Sequence, residues 1–225
     1  MLASGPSRCV NCLLLACAIA SLALAASCGY AGSGPPQDPP ADPNVVSLNP
    51  QDWKILYGAG TPSNPSADPE GAWAFEFPTG GGSVNYVQVP FQATMALHMV
   101  TITFKVESNA AQYTVLDPGD HLPATFHIFF EQKGDNLSSA DGRWWADEGG
   151  YNLGSRDGQV EVISVPLTSD QWSNVYGKQD PQAFSAALAN VGWFGVTFGG
   201  QDFWGHGVGV ASGSAKFIMI NYVVD

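Results

Sequence analysis

The chain has 225 residues, which is enough for one domain of ordinary size beside a targeting segment. It carries 20 acidic residues against 8 Lys and Arg, a formal net charge of −12 at pH 7, and no cluster of positive charge. This balance argues against nucleic acid as a partner, because binding to phosphates depends on clustered Lys and Arg. It also argues against anionic lipids and polyanionic glycans, which leaves neutral sugars, cations and proteins as ligand classes.

The first 28 residues predict a secretory signal peptide. Arg8 stands in a short head, and residues 12–27 (CLLLACAIASLALAAS) form an apolar run that ends in small residues. This order of charge, apolar stretch and small residues is typical of export signals. The run is short for a membrane span, which needs about 20 residues. We therefore expect the rest of the chain to be exported.

All four cysteines lie at or before Cys28, which excludes a disulfide framework from the exported domain. The stretch LAASC, ending at Cys28, resembles the signal of bacterial lipoproteins, in which the cysteine becomes the lipidated first residue. That resemblance implies a lipid-anchored protein of the cell envelope, at the outer membrane or the cell surface. Lipoprotein signals prefer Leu three places before the cysteine, where this chain has Ala25. Ordinary cleavage and a secreted protein are therefore the alternative.

Residues 29–44 (GYAGSGPPQDPPADPN) predict a linker. They are dense in Pro, Gly and Ala, and Tyr30 is their only large apolar residue. A segment of this composition cannot bury enough surface to fold, so we expect an extended, disordered spacer. The folded domain then occupies residues 45–225.

From residue 45 onward, short β-like runs alternate with turns rich in Gly, Pro and Asp. Runs of this kind predict an all-β fold, namely a two-sheet antiparallel β-sandwich of the jelly-roll type. One short helix is predicted within residues 180–192, where Asp180 can cap and Pro181 takes the first helical position. The predicted strands are residues 53–57, 72–77, 84–89, 95–107, 124–132, 143–146, 160–167, 191–198, 207–211 and 215–224.

Several of these runs resemble the galactose-binding-like jelly rolls that make up many bacterial carbohydrate-binding modules. The runs that carry the resemblance are WKILYG (53–58), GAWAFEFP (71–78), VGWFGVTFGG (191–200) and AKFIMINYVVD (215–225). The resemblance is one of strand order and composition over residues 53–225. It implies a ligand site on a concave sheet face or at loop tips. The chain also resembles a recurrent type of exported bacterial protein with RWW and GGxxxxGHG segments, a likeness that implies no activity.

The predicted strand 124–132 has an unusual outer row. Alternation places Thr125, His127, Phe129 and Glu131 on the face opposite to its large apolar side chains. A row that mixes polar and aromatic groups is typical of a sheet that faces a ligand, or of one that a loop covers. His127 and Glu131 are therefore candidates for polar contacts to a sugar.

The segment RWW divides between the two faces of its predicted strand. Trp144 points to one face, where it would fill the core, and Arg143 and Trp145 point to the other. Sugar binding requires a flat aromatic ring for the pyranose face and planar polar groups for its hydroxyls. We predict Trp145 as an exposed platform beside Arg143. The alternative is that its ring covers a sheet edge or packs under the loop 147–158.

Two further aromatic residues are candidate ligand contacts. Tyr151 follows the RWW segment in a glycine-rich stretch and could supply a polar contact. Trp204 lies in the glycine-rich turn GGQDFWGHG, where it could form a contact at a loop tip. A simple hairpin tip with one aromatic side chain is the structural alternative for Trp204, because the glycines are turn formers in their own right.

Motifs for metals and catalysis are sparse. The histidines show no zinc-binding spacing, and no serine nucleophile elbow, P-loop or dinucleotide motif is present. Hard oxygen donors in acidic loops make a structural calcium ion the favoured metal, although no loop matches the EF-hand and the ligands cannot be assigned. The acidic pairs are Asp117/Asp120, Asp135/Asp141 and Asp147/Glu148.

These observations leave three functional hypotheses. The leading one is a membrane-tethered, non-catalytic module that binds a neutral glycan. The second is a structural or protein-binding envelope lipoprotein without a glycan ligand. The third is a polysaccharide hydrolase or lyase, which would need two carboxylates facing each other in a cleft, at least one with a raised pKa.

Overall fold

The computed structural model describes residues 46–94, 96–135, 139–147, 151–155, 157–202 and 204–225. The predicted signal peptide, linker and Cys28 lie outside these residues. Within the part of the chain that is described, no helix is long and apolar enough to cross a membrane.

The described residues form two antiparallel sheets that pack into a sandwich. The larger sheet has the strand order β1-β4-β11-β6-β7-β10, with β8 paired to β6, and the smaller has the order β2-β3-β12-β5-β9. The helix α1 (Pro181–Ala189) connects β10 to β11, and short 3₁₀ turns occur at Pro50–Asp52 and Ala140–Gly142. The strands are β1 (Lys54–Leu56), β2 (Ser66–Ala67), β3 (Trp73–Glu76), β4 (Tyr86–Pro90), β5 (Met99–Val115), β6 (Thr125–Gln132), β7 (Arg143–Ala146), β8 (Tyr151–Asn152), β9 (Val160–Pro166), β10 (Trp172–Asn174), β11 (Val191–Gly199) and β12 (Val208–Val224).

This architecture confirms the predicted fold class, a two-sheet antiparallel β-sandwich consistent with a jelly roll. Each predicted strand coincides with an observed one, and the two last predicted runs join into the single strand β12. Three strands were not predicted: β2, β8 and β10 have two or three residues each, too few for alternation to be visible. The strand β5 continues to Val115 through polar residues because β12 pairs with it along its whole length.

The predicted helix is confirmed, and so is its capping. The Asp180 side chain accepts hydrogen bonds from the backbone N–H groups of Gln182 and Ala183, both at 3.0 Å. The helix buries Phe184, whose ring centroid lies 5.3 Å from that of Trp144. Trp144 is fully buried there, so its assignment to the core is confirmed.

The core between the sheets centres on Phe217 of β12, the central strand of the smaller sheet. Its ring stacks on Phe104 of the same sheet at 5.6 Å between centroids. It meets Phe126 and Phe198 of the larger sheet edge to face, at 5.5 and 5.4 Å. The two sheets are therefore joined by interlocked aromatic rings.

Gly195, on the outer face of the larger sheet, is a position that admits no side chain. A Cβ atom at Gly195 would lie 2.2 Å from the Val87 carbonyl oxygen and 2.9 Å from Cε1 of Phe129. Gly195 is the residue opposite Phe129 in the β11–β6 register, so its missing side chain leaves room for the Phe129 ring. The packing of this face depends on that gap.

We expect Gly195→Ala to lower the free energy of unfolding by about 1 to 3 kcal/mol, because the added methyl group overfills a closed contact. Urea unfolding measures the change. The matched control is Gly154→Ala, whose Cβ would meet nothing closer than 3.6 Å and should change stability by less than about 0.5 kcal/mol. Equal effects of the two substitutions would contradict the role assigned to Gly195.

Candidate functional site

The outer face of the larger sheet is covered and does not face open solvent at its centre. His127, Phe129 and Glu131 are all buried. Phe129 and Trp145 lie opposite each other in the β6–β7 register and form, with Tyr86, a small apolar cluster separate from the main core. The polar and aromatic outer row predicted for β6 thus exists, and loops pack over part of it.

Trp145 lies in this cluster with 4% of its surface exposed. Its indole N–H donates to Oγ1 of Thr197 at 3.0 Å, which draws the ring across β6 towards β11. The prediction of an exposed platform at Trp145 is therefore wrong. The ring keeps its predicted face and its neighbour Arg143, whose guanidinium carbon lies 5.8 Å from the ring centroid.

Arg143 lies between an acidic partner, Asp135, and a phenolic partner, Tyr86. Its Nε lies 3.0 Å from Oδ2 of Asp135, a buried ion pair. Its Nη1 donates a long hydrogen bond of 3.5 Å to the Tyr86 hydroxyl, and Glu131 is its partner in the β6–β7 register. Because a guanidinium carries five N–H donors, Arg143 has donors left for a ligand.

Glu131 has a strongly perturbed pKa. Burial raises the pKa of this carboxyl, the charge of Asp135 raises it further, and Arg143 and a hydrogen bond with Gln88 lower it, which leaves a value of about 7. The two carboxylates and Arg143 therefore form one buried network whose charge changes near neutral pH.

His127 is neutral at physiological pH. Burial lowers its pKa to about 4, an effect that the hydrogen bond to Ala146 and the charge of Asp147 oppose. Its Nδ1 donates to the Ala146 carbonyl oxygen at 3.3 Å, which assigns the ring proton to that nitrogen. The neutral imidazole stacks against Trp204, with 4.1 Å between ring centroids and 22° between planes.

The loop that carries Trp204 is anchored to the neighbouring loop around Asp120. The Asp120 carboxylate accepts the backbone N–H of Gly200 at 2.6 Å and that of Asp202 at 3.0 Å. Trp204 is partly buried and lies over His127 as a consequence. The simple hairpin tip considered from the sequence is thus a loop folded back over the sheet.

Two histidine–carboxylate pairs brace the same loop. His121 Nδ1 lies 2.6 Å from Oδ2 of Asp202, and His206 Nδ1 lies 2.9 Å from Oδ2 of Asp117. The hydrogen bond from His206 is one of the causes that lower the pKa of Asp117, after the backbone N–H of Gly119. Both pairs are at the surface, so they position the loop more than they stabilise the fold.

A pocket of about 180 Å³ lies between the Trp204 loop, the sheet and the turn after β10. Its floor and one side are formed by Tyr86, Arg143, Trp145, Asp202, Trp204 and His206. The turn contributes Asn174, Val175 and Gly177. The pocket therefore combines aromatic rings with hydroxyl, guanidinium, carboxylate and imidazole groups.

The structure brings most of the predicted contact residues together. Arg143, Trp145 and Trp204 line the pocket, His127 stacks against Trp204, and Glu131 lies opposite Arg143 in the β6–β7 register. Their role in binding a ligand stays a prediction.

Tyr151 is not brought to the pocket. Its ring contacts Phe104 and Phe126, at 4.9 and 5.3 Å between centroids, on the inner side of the sheet. The register of β8 with β6 puts it opposite Phe126 and thereby decides its face. Asn174 and Asp202 also line the pocket and were not predicted as contacts. Asn174 comes from the end of β10, and Asp202 lies in the same glycine-rich loop as Trp204, where nothing in the sequence distinguishes it from other loop acids.

The acidic loop pairs proposed for calcium have protein partners. Asp117 and Asp120 accept donors of the Trp204 loop, Asp135 pairs with Arg143, and Asp141 accepts from the Asn174 amide at 2.7 Å. Among the described residues, no three His, Cys, Asp or Glu side chains converge on a point where a metal ion could bind. Glu148 lies outside the described residues. No ligand set for calcium can be assigned.

Comparisons with known proteins give distant structural likeness. No family model and no curated protein matches this sequence. Among solved structures, a xylan-binding module, CBM15, is 13% identical and aligns over 75% of this chain and 90% of its own, with a TM-score of 0.38. A protein described as a candidate glycoside hydrolase from Bacteroides vulgatus is 10% identical over 76% of this chain and 96% of its own, with a TM-score of 0.30. Similarity at this level carries no argument about what this protein binds.

The raised pKa of Glu131 makes stability depend on pH. The folded protein holds the Glu131 proton more tightly than the unfolded chain, in which the pKa is 4.5. The protonated carboxyl therefore stabilises the folded state fully below pH 4.5, and this stabilisation is lost as the pH rises through about 7. We expect the stability of the wild type, relative to Glu131→Gln, to fall by about 1 to 3 kcal/mol over this range. Urea unfolding at successive pH values measures it.

The comparison with Glu131→Gln isolates this group, because His127, whose pKa is lowered, affects both proteins alike. The control is Glu76→Gln, at an exposed position of β3. The difference in free energy of unfolding between the wild type and this variant should change by less than about 0.5 kcal/mol over the same pH range. A difference for Glu131→Gln that is equally flat would show that Glu131 is already ionised in the folded protein at pH 5.

Proposed function

We propose that this domain is a non-catalytic module that binds a neutral carbohydrate in the pocket beside Trp204. The observation that carries the proposal is the presence, at the same pocket, of an aromatic ring that stacks on His127 and a guanidinium paired in charge with Asp135. A pyranose needs a flat ring for its C–H face and planar polar groups for its hydroxyls. Both are in place without a ligand, so little ordering would be needed on binding.

The charges of the pocket favour a neutral ligand. Each Arg, Asp and His side chain at its wall is paired with a residue of the opposite acid–base type. Arg143 is paired with Asp135, Asp202 with His121, and His206 with Asp117. The groups can still donate or accept further hydrogen bonds, since each uses only part of its capacity in these pairs. A ligand rich in hydroxyls fits such a wall, whereas an ion would compete with the existing pairs.

The position of the carboxylates favours binding over hydrolysis. A glycosidase needs two carboxyl groups across the scissile bond, about 5 Å or about 7 to 9 Å apart. Among the described residues that line the pocket, Asp202 is the one carboxylate, and it is paired with His121. Glu131 is buried, the side chain of Asp135 is buried against Arg143, and neither residue lines the pocket.

We further propose that the domain is exported and tethered to the cell envelope through a lipid on Cys28. The support is the sequence LAASC after an apolar run, followed by the Pro- and Gly-rich residues 29–44, which would act as a spacer. A lipoprotein carries more than one acyl chain, which is enough for stable anchoring. The spacer would hold the pocket away from the membrane, where polysaccharides are accessible.

The binding proposal is tested with a panel of neutral polysaccharides by affinity electrophoresis. We expect at least one of them to retard the wild-type domain. Trp204→Ala should weaken that binding about tenfold or more, a loss of roughly 1.4 kcal/mol from the missing stacking surface. The matched control is Tyr176→Ala, which removes an aromatic ring that is 72% exposed, close to the pocket but not part of its wall.

Tyr176→Ala should bind within twofold of the wild type. If no neutral polysaccharide retards the wild-type protein, or if Trp204→Ala binds as well as Tyr176→Ala, the proposed site is wrong.

The tether is tested by expressing the full chain in a bacterial host with an alkyne-labelled fatty acid. The wild type and Cys17→Ala should incorporate the label, and Cys28→Ala should not, because Cys28 is the residue that the signal pattern assigns to the lipid. Absence of label from the wild type would favour ordinary cleavage and a secreted protein.

A further inference from the structure

Tyr57 is held in a backbone conformation that is rare for a residue with a large side chain. It directly follows β1, and its φ of 57° lies in the left-handed region. Among the described residues other than glycine, Ala110 is the one other residue with a positive φ. Such a conformation is unfavourable for a bulky residue and persists only where the surrounding structure imposes it.

The strand pairing on both sides of Tyr57 is regular. Leu56 pairs with Tyr86 in the β1–β4 register. Ala59 and Ser83 form an antiparallel bridge in the same register, and their backbone groups exchange hydrogen bonds of 2.9 and 2.8 Å. Because alternate residues of a strand share a face, a regular backbone at Tyr57 would turn its side chain to the face opposite to Leu56.

The Tyr57 ring lies instead on the outer face, the side of Leu56 and Tyr86. It meets the Tyr86 ring edge to face, with 5.6 Å between ring centroids. Tyr86 belongs to the outer cluster of Phe129 and Trp145, against which Leu56 also packs. Even so, 60% of the surface of Tyr57 stays exposed. An unfavourable backbone that displays an aromatic ring in water, and does not bury it, points to a role in binding.

Tyr86 connects Tyr57 with the pocket beside Trp204. Tyr86 lines that pocket, and its hydroxyl accepts the long hydrogen bond from Arg143. The Trp204 loop also reaches it, since a Cβ atom at Gly205 would lie 2.8 Å from the Tyr86 hydroxyl oxygen. Neighbouring strands are about 4.8 Å apart, and β1 is next to β4 in the sheet. Tyr57 therefore lies about one strand spacing from a wall residue of the pocket.

From this displayed ring beside the pocket we infer that Tyr57 is a second contact for the carbohydrate, so that the ligand is a chain of several sugar units that reaches from the pocket across β4 to β1. This inference rests on the proposed function and extends its site. A unit next to the one in the pocket would contact the exposed surface of the Tyr57 ring, and the phenolic hydroxyl can donate or accept a hydrogen bond there.

The test uses isothermal titration calorimetry with gluco-, xylo-, manno- and galacto-oligosaccharides of one to six units. For the series that binds, the affinity of the wild type should increase about fivefold or more from one to six units, because the longer ligand gains the contact with Tyr57. Tyr57→Ala should weaken binding of the six-unit ligand about fivefold or more and change binding of the one-unit ligand by less than about twofold.

Two control variants separate the ring from other effects of the substitution. Tyr57→Phe keeps the ring and places the same demand on the backbone, so it should bind the six-unit ligand within about twofold of the wild type. Tyr176→Ala removes another exposed tyrosine ring, beyond the pocket wall, and should also bind this ligand within about twofold of the wild type. Unchanged binding of the one-unit ligand by Tyr57→Ala shows that the pocket is still folded.

The outcomes distinguish this inference from the proposed function. If Tyr57→Ala binds the six-unit ligand like the wild type, or weakens the one-unit and six-unit ligands equally, the second contact is overturned, whereas loss of binding in Trp204→Ala keeps the pocket as the site. Affinity that does not increase with ligand length also overturns the second contact. If none of the four series and none of the neutral polysaccharides binds, carbohydrate binding itself is overturned.

Discussion

The contact on which the rest of the structure depends is the packing of Phe217 against rings of both sheets. It stacks on Phe104 within the smaller sheet and meets Phe126 and Phe198 of the larger sheet edge to face. Because side chains alternate along a strand, the commitment of Phe126 to this core turns its neighbour His127 to the outside. The same rule turns Phe129 and Trp145 outward. The larger sheet is therefore left with an outer face too apolar to stand in water uncovered.

In the described part of the chain, the Trp204 loop and the turn after β10 lie over that face, and the pocket is the space between them. One loop places Trp204 on the neutral imidazole of His127, and the turn after β10 approaches from the other side. Stacking of this kind suits an uncharged imidazole, whose low pKa follows from its burial. The site is thus a consequence of how an apolar outer face is shielded from water. Aromatic rings and polar side chains lie next to each other in its wall.

The charged groups of the site divide into a buried set and a surface set. Asp135, Glu131 and Arg143 form the buried set, in which Arg143 lines the pocket and the two carboxyl groups do not. The two histidine–carboxylate pairs form the surface set and brace the Trp204 loop. This division explains how a strongly acidic chain can present the pocket for which we propose a neutral ligand.

The amino-acid sequence by itself determined the fold class, the main strands, the capped helix and the faces of RWW. These features depend on alternation and capping, which act between residues close in the chain. Only the tertiary structure decided that Trp145 is a floor and not an open platform, since its depth follows from the hydrogen bond to Thr197. It likewise decided that Tyr151 faces the core and that Asn174 and Asp202 reach the pocket, because these placements depend on strand register and on loops that meet across distant parts of the sequence.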